Sequence, residues 1–278
     1  MELWMTEYQT RALGLSFKVT ETLRLEKTPF QELAVIVTEQ HGRMLLLDGM
    51  VQTTEEDEFV YHEMITLPAL YAHPHPKKVL IIGGGDGGTL REVVNHPLVE
   101  QGILVEIDAR VLQASRDFFP QLCQAFNHVK AQVCVDDGIR YVKERQDEFD
   151  IIMVDSTEPV GPAVALFSAE FYRDAFRALK GDGMLVVQSE SPFYNKDVIQ
   201  KAFGGISKLF PITKLYQASI PTYPSGLWTF TVGSKKYDPA QVMTLPAQSH
   251  KYYNPALHEG AFKLPQFVKE LIRGIAKA

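Results

Sequence analysis

The sequence predicts an α/β protein in which a mostly parallel sheet, covered by helices on both faces, follows a small antiparallel β unit. From residue 79 onward, short apolar segments alternate with helical ones, as in a buried parallel sheet. The first fifty residues alternate polar and apolar side chains instead, which is typical of half-buried antiparallel strands. We therefore divide the chain into an N-terminal sheet domain, 1–54, and a catalytic domain, 55–278.

The N-terminal unit contains one long strand and a hairpin. Residues 16–26 place Phe17 and Val19 on one side and Lys18 and Thr20 on the other, which predicts a strand with one buried face. Residues 32–49 contain two apolar stretches separated by EQHG, which predicts a hairpin with glycine in its turn.

The second unit begins with a helix. Thr54 is its predicted N-cap, because acids follow in the first turn. Downstream, we predict strands at 79–82, 103–107, 132–135, 150–154, 184–188, 212–219 and 227–233. The helices between them are predicted near 88–95, 109–118, 138–145, 168–179 and 196–209, and an amphipathic run at 262–276 ends a packed tail.

Composition excludes several classes of function. The 278 residues include 34 acidic and 28 basic ones, a net charge of −6, which argues against nucleic-acid binding. Cys123 and Cys134 are the two cysteines, and they lack the spacing of a zinc or redox site, so we predict no metal and a reducing cytoplasmic setting. No apolar run approaches the roughly 18 residues of a membrane span, and no charged leader opens the chain, so no membrane association is predicted.

An acid stands at the end of each of the first four predicted strands of the parallel sheet. These acids are Asp86, Glu106, Asp137 and Asp155, and the first lies in the loop GGGDGG, residues 83–88. Ligands of such sheets bind outside the carboxyl ends of the strands, where glycines let the backbone approach closely. A GxGxxG pattern alone is shared by dinucleotide enzymes, methyltransferase-like proteins and tight turns without a ligand.

Two of these acids suit a nucleoside. Glu106 lies 18 residues beyond Gly88, where a carboxylate can accept hydrogen bonds from both ribose hydroxyls. Asp137 precedes Gly138 at a predicted helix start, where its carboxylate could accept from an adenine amino group or act as a helix N-cap.

The other two acids suit a cation. A carboxylate about 4 Å from a phosphate would be repelled by roughly 4 kcal/mol at an effective dielectric constant near 20, so Asp86 disfavours a pyrophosphate in the glycine loop. Asp155 and Glu158 lie in the segment FDIIMVDSTEPVGP, and further acids lie at 55–63. Together these carboxylates predict a pocket for a polycation.

Several motifs together resemble the spermidine synthases, which are polyamine aminopropyltransferases. They are GGGDGG, VEID, DDG, DSTEP, FQ at 30–31, DEFVYHEMI at 57–65 and IPTYPSG at 220–226. The resemblance covers nearly the whole chain, and His62, where eukaryotic relatives often have glutamine, indicates the bacterial type. It implies a Rossmann-like, class I methyltransferase-like catalytic domain that moves an aminopropyl group from decarboxylated S-adenosylmethionine to putrescine, giving spermidine and methylthioadenosine. It also implies that the donor is a co-substrate, that there is no cofactor, and that the chain forms a homodimer or homotetramer through its N-terminal sheets.

The resemblance also assigns roles to single residues. For the nucleoside part of the donor it assigns Gln31, Glu106, Asp137, Gly138 and Pro162. Asp86 is assigned to the ammonium of the aminopropyl group, and Asp155 is the implied general base. The implied amine site contains Tyr61, His62, Asp86, Asp155, Ser156, Thr157, Glu158 and Tyr223. Glu158 replaces the aspartate of some family members, which leaves the choice among putrescine, cadaverine, agmatine and spermidine open.

Three other functions compete with this one. A class I methyltransferase acting on an amine would use intact S-adenosylmethionine, whose carboxylate Asp86 disfavours. An NAD-dependent oxidoreductase would fit the glycine loop and Glu106, but not acids at all four strand ends. A non-catalytic polyamine-binding module would not need the adenosine pocket. We further hypothesise that residues 156–166, stiffened by two prolines, order over bound substrates as a lid.

Overall fold

The computed structural model describes residues 2–157, 161–246 and 248–275. Glu158, predicted for the amine site, lies outside these ranges. Pro162 lies within a 3-10 helix, Gly161–Phe167, but its side chain is outside the described part of the structure. The lid hypothesis likewise depends partly on residues outside these ranges.

The N-terminal sheet has five antiparallel strands in chain order. They are β1 (Leu3–Thr10), β2 (Leu13–Lys27), β3 (Glu32–Thr38), β4 (Gly42–Leu47) and β5 (Met50–Thr54). The sequence pattern predicts β2 and the β3–β4 hairpin but not β1, because Trp4 and Tyr8 of β1 are exposed and its polar and apolar residues do not separate cleanly onto two faces.

The second sheet has seven strands and is mostly parallel, as predicted. Its strands are β6 (Lys78–Gly83), β7 (Gln101–Glu106), β8 (Ala131–Val135), β9 (Phe149–Asp155), β10 (Leu179–Gln188), β11 (Ile212–Ser219) and β12 (Leu227–Ser234). Their order is β11-β12-β10-β9-β6-β7-β8. Strand β12 runs antiparallel to both of its neighbours, and the pairs from β10 to β8 are parallel.

The described helices are α1 (Glu58–Ala72), α2 (Gly88–Asn95), α3 (Ala109–Phe118), α4 (Pro120–Cys123), α5 (Gly138–Lys143), α6 (Ala169–Ala178), α7 (Lys196–Ser207), α8 (Pro255–Ala261) and α9 (Gln266–Ile272). None of them is long and apolar enough to cross a membrane.

Two sequence-based predictions about helices are wrong. Thr54 is not the N-cap of α1: it is the last residue of β5, and its hydroxyl donates to Asp57 Oδ1 at 2.6 Å, within a turn that precedes the helix. The amphipathic run at 262–276 is not one helix either. Pro265 separates α8 from α9, because proline has no backbone N–H to continue a helix.

The packing of the N-terminal sheet positions the site. Leu33 and Leu45 of this sheet form one apolar cluster with Val111 of α3 and Leu122 of α4. Two larger clusters lie on the two faces of the seven-stranded sheet. The N-terminal sheet is thereby fixed beside the carboxyl ends of the parallel strands, where ligands of such sheets bind.

Gly83 is a position where only glycine fits. Its φ is +82°, and a Cβ atom there would lie 2.1 Å from the backbone oxygen of Asp155. We expect Gly83→Ala to lower the free energy of unfolding by about 2 to 4 kcal/mol, because the strain and the backbone clash add. Urea unfolding measures this, with Gly181→Ala, whose added Cβ meets nothing within 4 Å, as the control. Equal stability of the two variants would contradict the prediction.

Candidate active site

A cleft of about 1400 Å³, part of it open to solvent, lies at the carboxyl ends of β6, β7, β8 and β9. Small-molecule pockets typically enclose about 300 to 1000 Å³, so this cleft can hold an extended ligand or two ligands side by side. One wall comes from the N-terminal sheet through Leu47 and Gln52, and the opposite wall comes from the strand ends.

The nucleoside end of the cleft contains Glu106 and Gln31. Glu106 Oε1 accepts a hydrogen bond from the backbone N–H of Asp108 at 2.8 Å. Burial raises the pKa of Glu106 to about 7, and the neighbouring charges of Asp108 and Asp155 act in the same direction. Gln31 Nε2 donates to Asp108 Oδ2 at 3.0 Å, so the N-terminal domain is tied to the ribose side of the cleft.

Asp137 and Gly138 line the same end. Asp137 Oδ1 accepts from the backbone N–H of Ile139 at 2.8 Å and is the N-cap of α5. The structure thus shows the capping role, and the other carboxylate oxygen has no hydrogen bond among the described contacts. A Cβ atom at Gly138 would lie 2.3 Å from Ile82 Cγ2, so glycine is required for α5 to approach β6.

The other end of the cleft brings Asp86 and Asp155 together. Asp86 Oδ1 accepts from the backbone N–H of Gly88 at 2.8 Å, at the start of α2. Asp155 Oδ1 accepts from the Tyr61 hydroxyl and Oδ2 from the Thr89 hydroxyl, both at 2.6 Å. Burial raises the pKa of Asp155, and the negative charge of Asp86 raises it further. A buried carboxylate of this kind is a stronger base than one in water.

Two tyrosines stand beside these carboxylates. The ring centroids of Tyr61 and Tyr223 are 5.5 Å apart, and the Tyr223 hydroxyl donates to the backbone oxygen of Gln52 at 2.6 Å. Asp57 Oδ2 accepts from both the N–H and the hydroxyl of Thr222. The segment between β11 and β12 that carries Tyr223 is therefore held by β5 and by the residue preceding α1.

Ser156 and Thr157 follow β9 and line the cleft. Their backbone oxygens accept from Gln188 Nε2 at 3.1 and 3.5 Å. The acids upstream of α1 and on it are engaged elsewhere: Glu55 pairs with Arg43, and Glu63 accepts from the backbone N–H groups of residues 251–253. Neither acid belongs to the described cleft lining.

His62 lies behind Asp86, with 1% of its surface exposed. Its Nε2 atom is 3.1 Å from Asp86 Oδ2, and its Nδ1 atom is 2.6 Å from Glu58 Oε2. A Cβ atom at Gly88 would lie 2.2 Å from the imidazole ring, so the last glycine of the loop lets α1 and α2 approach each other.

Sequence reasoning missed residues at the end of β10. Gln188 lines the cleft, and Glu190 Oε1 accepts from Gln188 Nε2 at 3.3 Å. Glu190 is buried and has a φ of +70°. The signal was present, because β10 is a fifth parallel strand whose exit, QSES, also carries an acid. Gln52 and Thr89 gave no comparable signal, since their contacts depend on packing between distant segments.

One cluster outside the cleft has a composition that could bind a metal: His73, Asp150 and Asp182. Asp150 is already paired with Lys180 Nζ at 2.9 and 3.0 Å. His73 Nδ1 accepts from the backbone N–H of His75, which leaves the proton of a neutral ring on Nε2. A ligating nitrogen must have a free lone pair, so we interpret this cluster as an ion-pair network.

Comparisons with known proteins agree with this geometry. Residues 58–244 match the family model described as the spermine/spermidine synthase domain, and residues 3–55 match the spermidine synthase tetramerisation domain. A polyamine aminopropyltransferase of Caldicellulosiruptor bescii is 52% identical over 275 residues, covering 98% of this chain and 99% of the relative. Polyamine aminopropyltransferase 1 of Bacillus cereus is 50% identical over 277 residues, covering 98% and 100%.

Solved structures of similar fold include a spermidine synthase in complex with the transition state analogue AdoDATO. It has a TM-score of 0.95 and 40% identity, and the match covers 97% of this chain and 94% of that one. The spermidine synthase of Thermotoga maritima has a TM-score of 0.91 and 39% identity at the same coverage. With its fold, its cleft and nearly its whole length matched in this way, the chain belongs to the spermine/spermidine synthase family.

Proposed function

We infer that the protein is an aminopropyltransferase of polyamine synthesis, which transfers an aminopropyl group to putrescine and releases spermidine and methylthioadenosine. The observation that carries this is the convergence of Asp86 and Asp155 at one end of a cleft whose other end contains Glu106 and Asp137. A cationic chain attached to a nucleoside matches both ends. The match to a spermidine synthase solved with a transition state analogue supports the same reaction class.

The proposed donor is decarboxylated S-adenosylmethionine, bound as a co-substrate. Glu106 would accept from the ribose hydroxyls, and Asp86 would bind the ammonium of the aminopropyl group. Gln31, Asp137, Gly138 and Pro162 complete the proposed nucleoside site. The division between residues 54 and 55 and the cytoplasmic setting are also retained as proposals.

The proposed amine site lies against Asp155. Tyr61 and Tyr223 would flank the methylene chain of putrescine, and Ser156, Thr157 and Glu158 would extend the site toward the distal ammonium. His62 would contribute through Asp86, which it contacts from behind.

The reaction is an in-line displacement. An aliphatic amine with a pKa near 10.4 is neutral in only about one molecule in a thousand at pH 7, so its deprotonation costs roughly 4 to 5 kcal/mol. Asp155 accepts that proton, and the freed lone pair attacks the methylene carbon next to the sulfonium. The carbon–sulfur bond breaks with its electron pair remaining on sulfur, so a neutral thioether leaves. Tyr61, which donates to Asp155 Oδ1, holds the base in place for the transfer.

Identification of the nucleoside product tests the function. The purified protein is incubated with putrescine and either decarboxylated or intact S-adenosylmethionine. We expect methylthioadenosine and spermidine from the decarboxylated donor alone. Adenosylhomocysteine from the intact donor would instead indicate a methyltransferase. Competition among putrescine, cadaverine, agmatine and spermidine then defines the preferred acceptor.

Binding of the nucleoside should depend on pH through Glu106. Only the ionised carboxylate can accept from both ribose hydroxyls, and its pKa in the free protein is about 7. Methylthioadenosine affinity should therefore rise by up to about tenfold per pH unit between pH 5 and 7 and level off above, with release of a proton on binding. Calorimetry in buffers of different ionisation enthalpy measures the proton. In Glu106→Gln, binding should be weaker and should lose this dependence; an unchanged slope would contradict the assignment.

We propose that the N-terminal sheets assemble the chain into a homo-oligomer, a homotetramer rather than a homodimer. Trp4 and Tyr8 of β1 are 53% and 77% exposed, and exposed apolar surface of this kind often marks an interface. The matched family model is a tetramerisation domain. Light scattering should give four times the chain mass, and Trp4→Glu should lower that mass without unfolding the protein. A monomeric wild-type protein would contradict the proposal.

A further inference from the structure

Four charged side chains form a continuous buried chain behind the cleft. Arg91 Nη1 and Nη2 donate to the two carboxylate oxygens of Glu58 at 2.9 and 3.0 Å. Glu58 Oε2 contacts His62 Nδ1 at 2.6 Å, and His62 Nε2 contacts Asp86 Oδ2 at 3.1 Å. Arg91, Glu58 and His62 all stand outside the lining of the cleft, so this chain reaches the substrates through Asp86.

His62 carries a positive charge in this arrangement. Each ring nitrogen faces a carboxylate oxygen, and an ionised carboxylate can only accept hydrogen bonds, so both nitrogens must donate. Burial alone would lower the pKa of His62, but the contacts with Asp86 and Glu58 raise it well above its usual value. Burial likewise opposes ionisation of Glu58, yet His62 and Arg91 bring the pKa of Glu58 down to about 2.

We propose that Glu58 and Arg91 are positioning residues that hold His62 as a fixed cation behind Asp86, and that this cation keeps Asp86 and Asp155 ionised together while the cleft is empty. The inference rests on the proposed aminopropyl transfer, in which Asp155 must be ionised to accept a proton. It assigns a task to two residues that do not touch the substrates.

The charges around His62 explain why such a cation is needed. Asp86 and Asp155 are buried and repel each other, and two such carboxylates tend to share one proton. The positive charge of His62 acts against this, since it lowers the pKa of Asp155. Without it, a proton would move onto the carboxylate pair and block the base until a cationic substrate arrived.

The remaining groups facing His62 do not supply that charge. Tyr61, also on α1, packs edge-on against the ring of His62 and is neutral, because burial and the charge of Asp155 raise its pKa. Glu92 on α2 pairs with Arg91 Nε at 2.8 Å. The charges of Arg91, Glu58, His62 and Asp86 alternate in sign, so removal of one in the middle leaves its neighbours unbalanced.

Glu58→Gln tests the proposal in two independent ways. In ligand-free protein labelled with 15N-histidine, the His62 signal, assigned with His62→Gln, should be that of an imidazolium at pH 8 in the wild type and of a neutral ring in Glu58→Gln. In turnover assays, the acidic limb of the kcat/KM profile should move up by about one pH unit or more, so that activity falls at least tenfold at pH 6.5 and recovers toward pH 9. Glu144→Gln, which removes an exposed carboxylate, should match the wild type.

Arg91→Gln and Arg91→Lys complete the design. Arg91→Gln should shift the same limb in the same direction, and Arg91→Lys, which retains the charge, should restore part of the wild-type profile even if Glu58→Gln folds poorly. An imidazolium that persists at pH 8 in Glu58→Gln, or a loss of activity independent of pH, would overturn the proposal. A wild-type protein without aminopropyl transfer would instead refute the proposed function, and the histidine signals would still report the charge of His62.

Discussion

Asp155→Asn is expected to lower kcat by about 10² to 10⁴-fold, the range that a positioned general base contributes. Asn retains the shape of the side chain, and its oxygen can still accept from one of the two hydroxyls, Tyr61 or Thr89, that contact Asp155. The other hydroxyl can rotate to accept from the new NH₂ group. The substitution therefore removes the base while largely preserving its surroundings.

Its pH dependence distinguishes a lost base from a distorted site. Burial and the charge of Asp86 raise the pKa of Asp155, so the wild-type rate should rise as pH increases through that pKa and the base becomes ionised. In Asp155→Asn this part of the rise should disappear, whereas titration of the free amine remains. Steady-state rates between pH 6 and 10 measure the difference.

Two measurements control for structural damage. Methylthioadenosine should bind Asp155→Asn within about threefold of the wild-type affinity, because Glu106 and Asp137 are untouched. Tyr61→Phe, which removes one hydrogen bond to the base, should lose about tenfold in kcat, or about 1.4 kcal/mol. Near-normal turnover of Asp155→Asn would remove Asp155 from the role of base.

Asp86→Asn is expected to raise the KM of the decarboxylated donor by about 30- to 1000-fold, because the charge-assisted contact to its ammonium is lost inside a buried site. The affinity for methylthioadenosine, which lacks the aminopropyl group, should change little. Discrimination against intact S-adenosylmethionine should also weaken, since Asp86 no longer repels its carboxylate.

Asp137→Asn is the matched control for Asp86→Asn. Asparagine is also a good N-cap, so α5 should persist, and any effect at the adenine end should weaken donor and methylthioadenosine equally. Loss of affinity for both ligands in Asp86→Asn would indicate general damage to the glycine loop, and an unchanged donor KM would show that the donor ammonium binds elsewhere.

Much of the fold follows from the sequence because its signals are local. Buried strands between amphipathic helices specify the parallel sheet, and residues that follow parallel strands meet at one edge whatever the details of packing. Asp86, Glu106, Asp137 and Asp155 could therefore be placed in one cleft before the structure was known. The predicted start of α1 failed because Thr54 satisfies a turn with Asp57 that looks like a helix cap in sequence.

What the sequence by itself determined is the set of carboxylates and their order along the cleft, with a carboxylate in the glycine loop that selects a cation over a phosphate. What only the tertiary structure decided is how those carboxylates are held. Tyr61 and Asp155 are 94 residues apart in the chain, Tyr223 and Gln52 are 171 apart, and His62 obtains its charge from the packing of α1 against the glycine loop. Such contacts depend on where whole elements dock, and no local pattern of side chains records that.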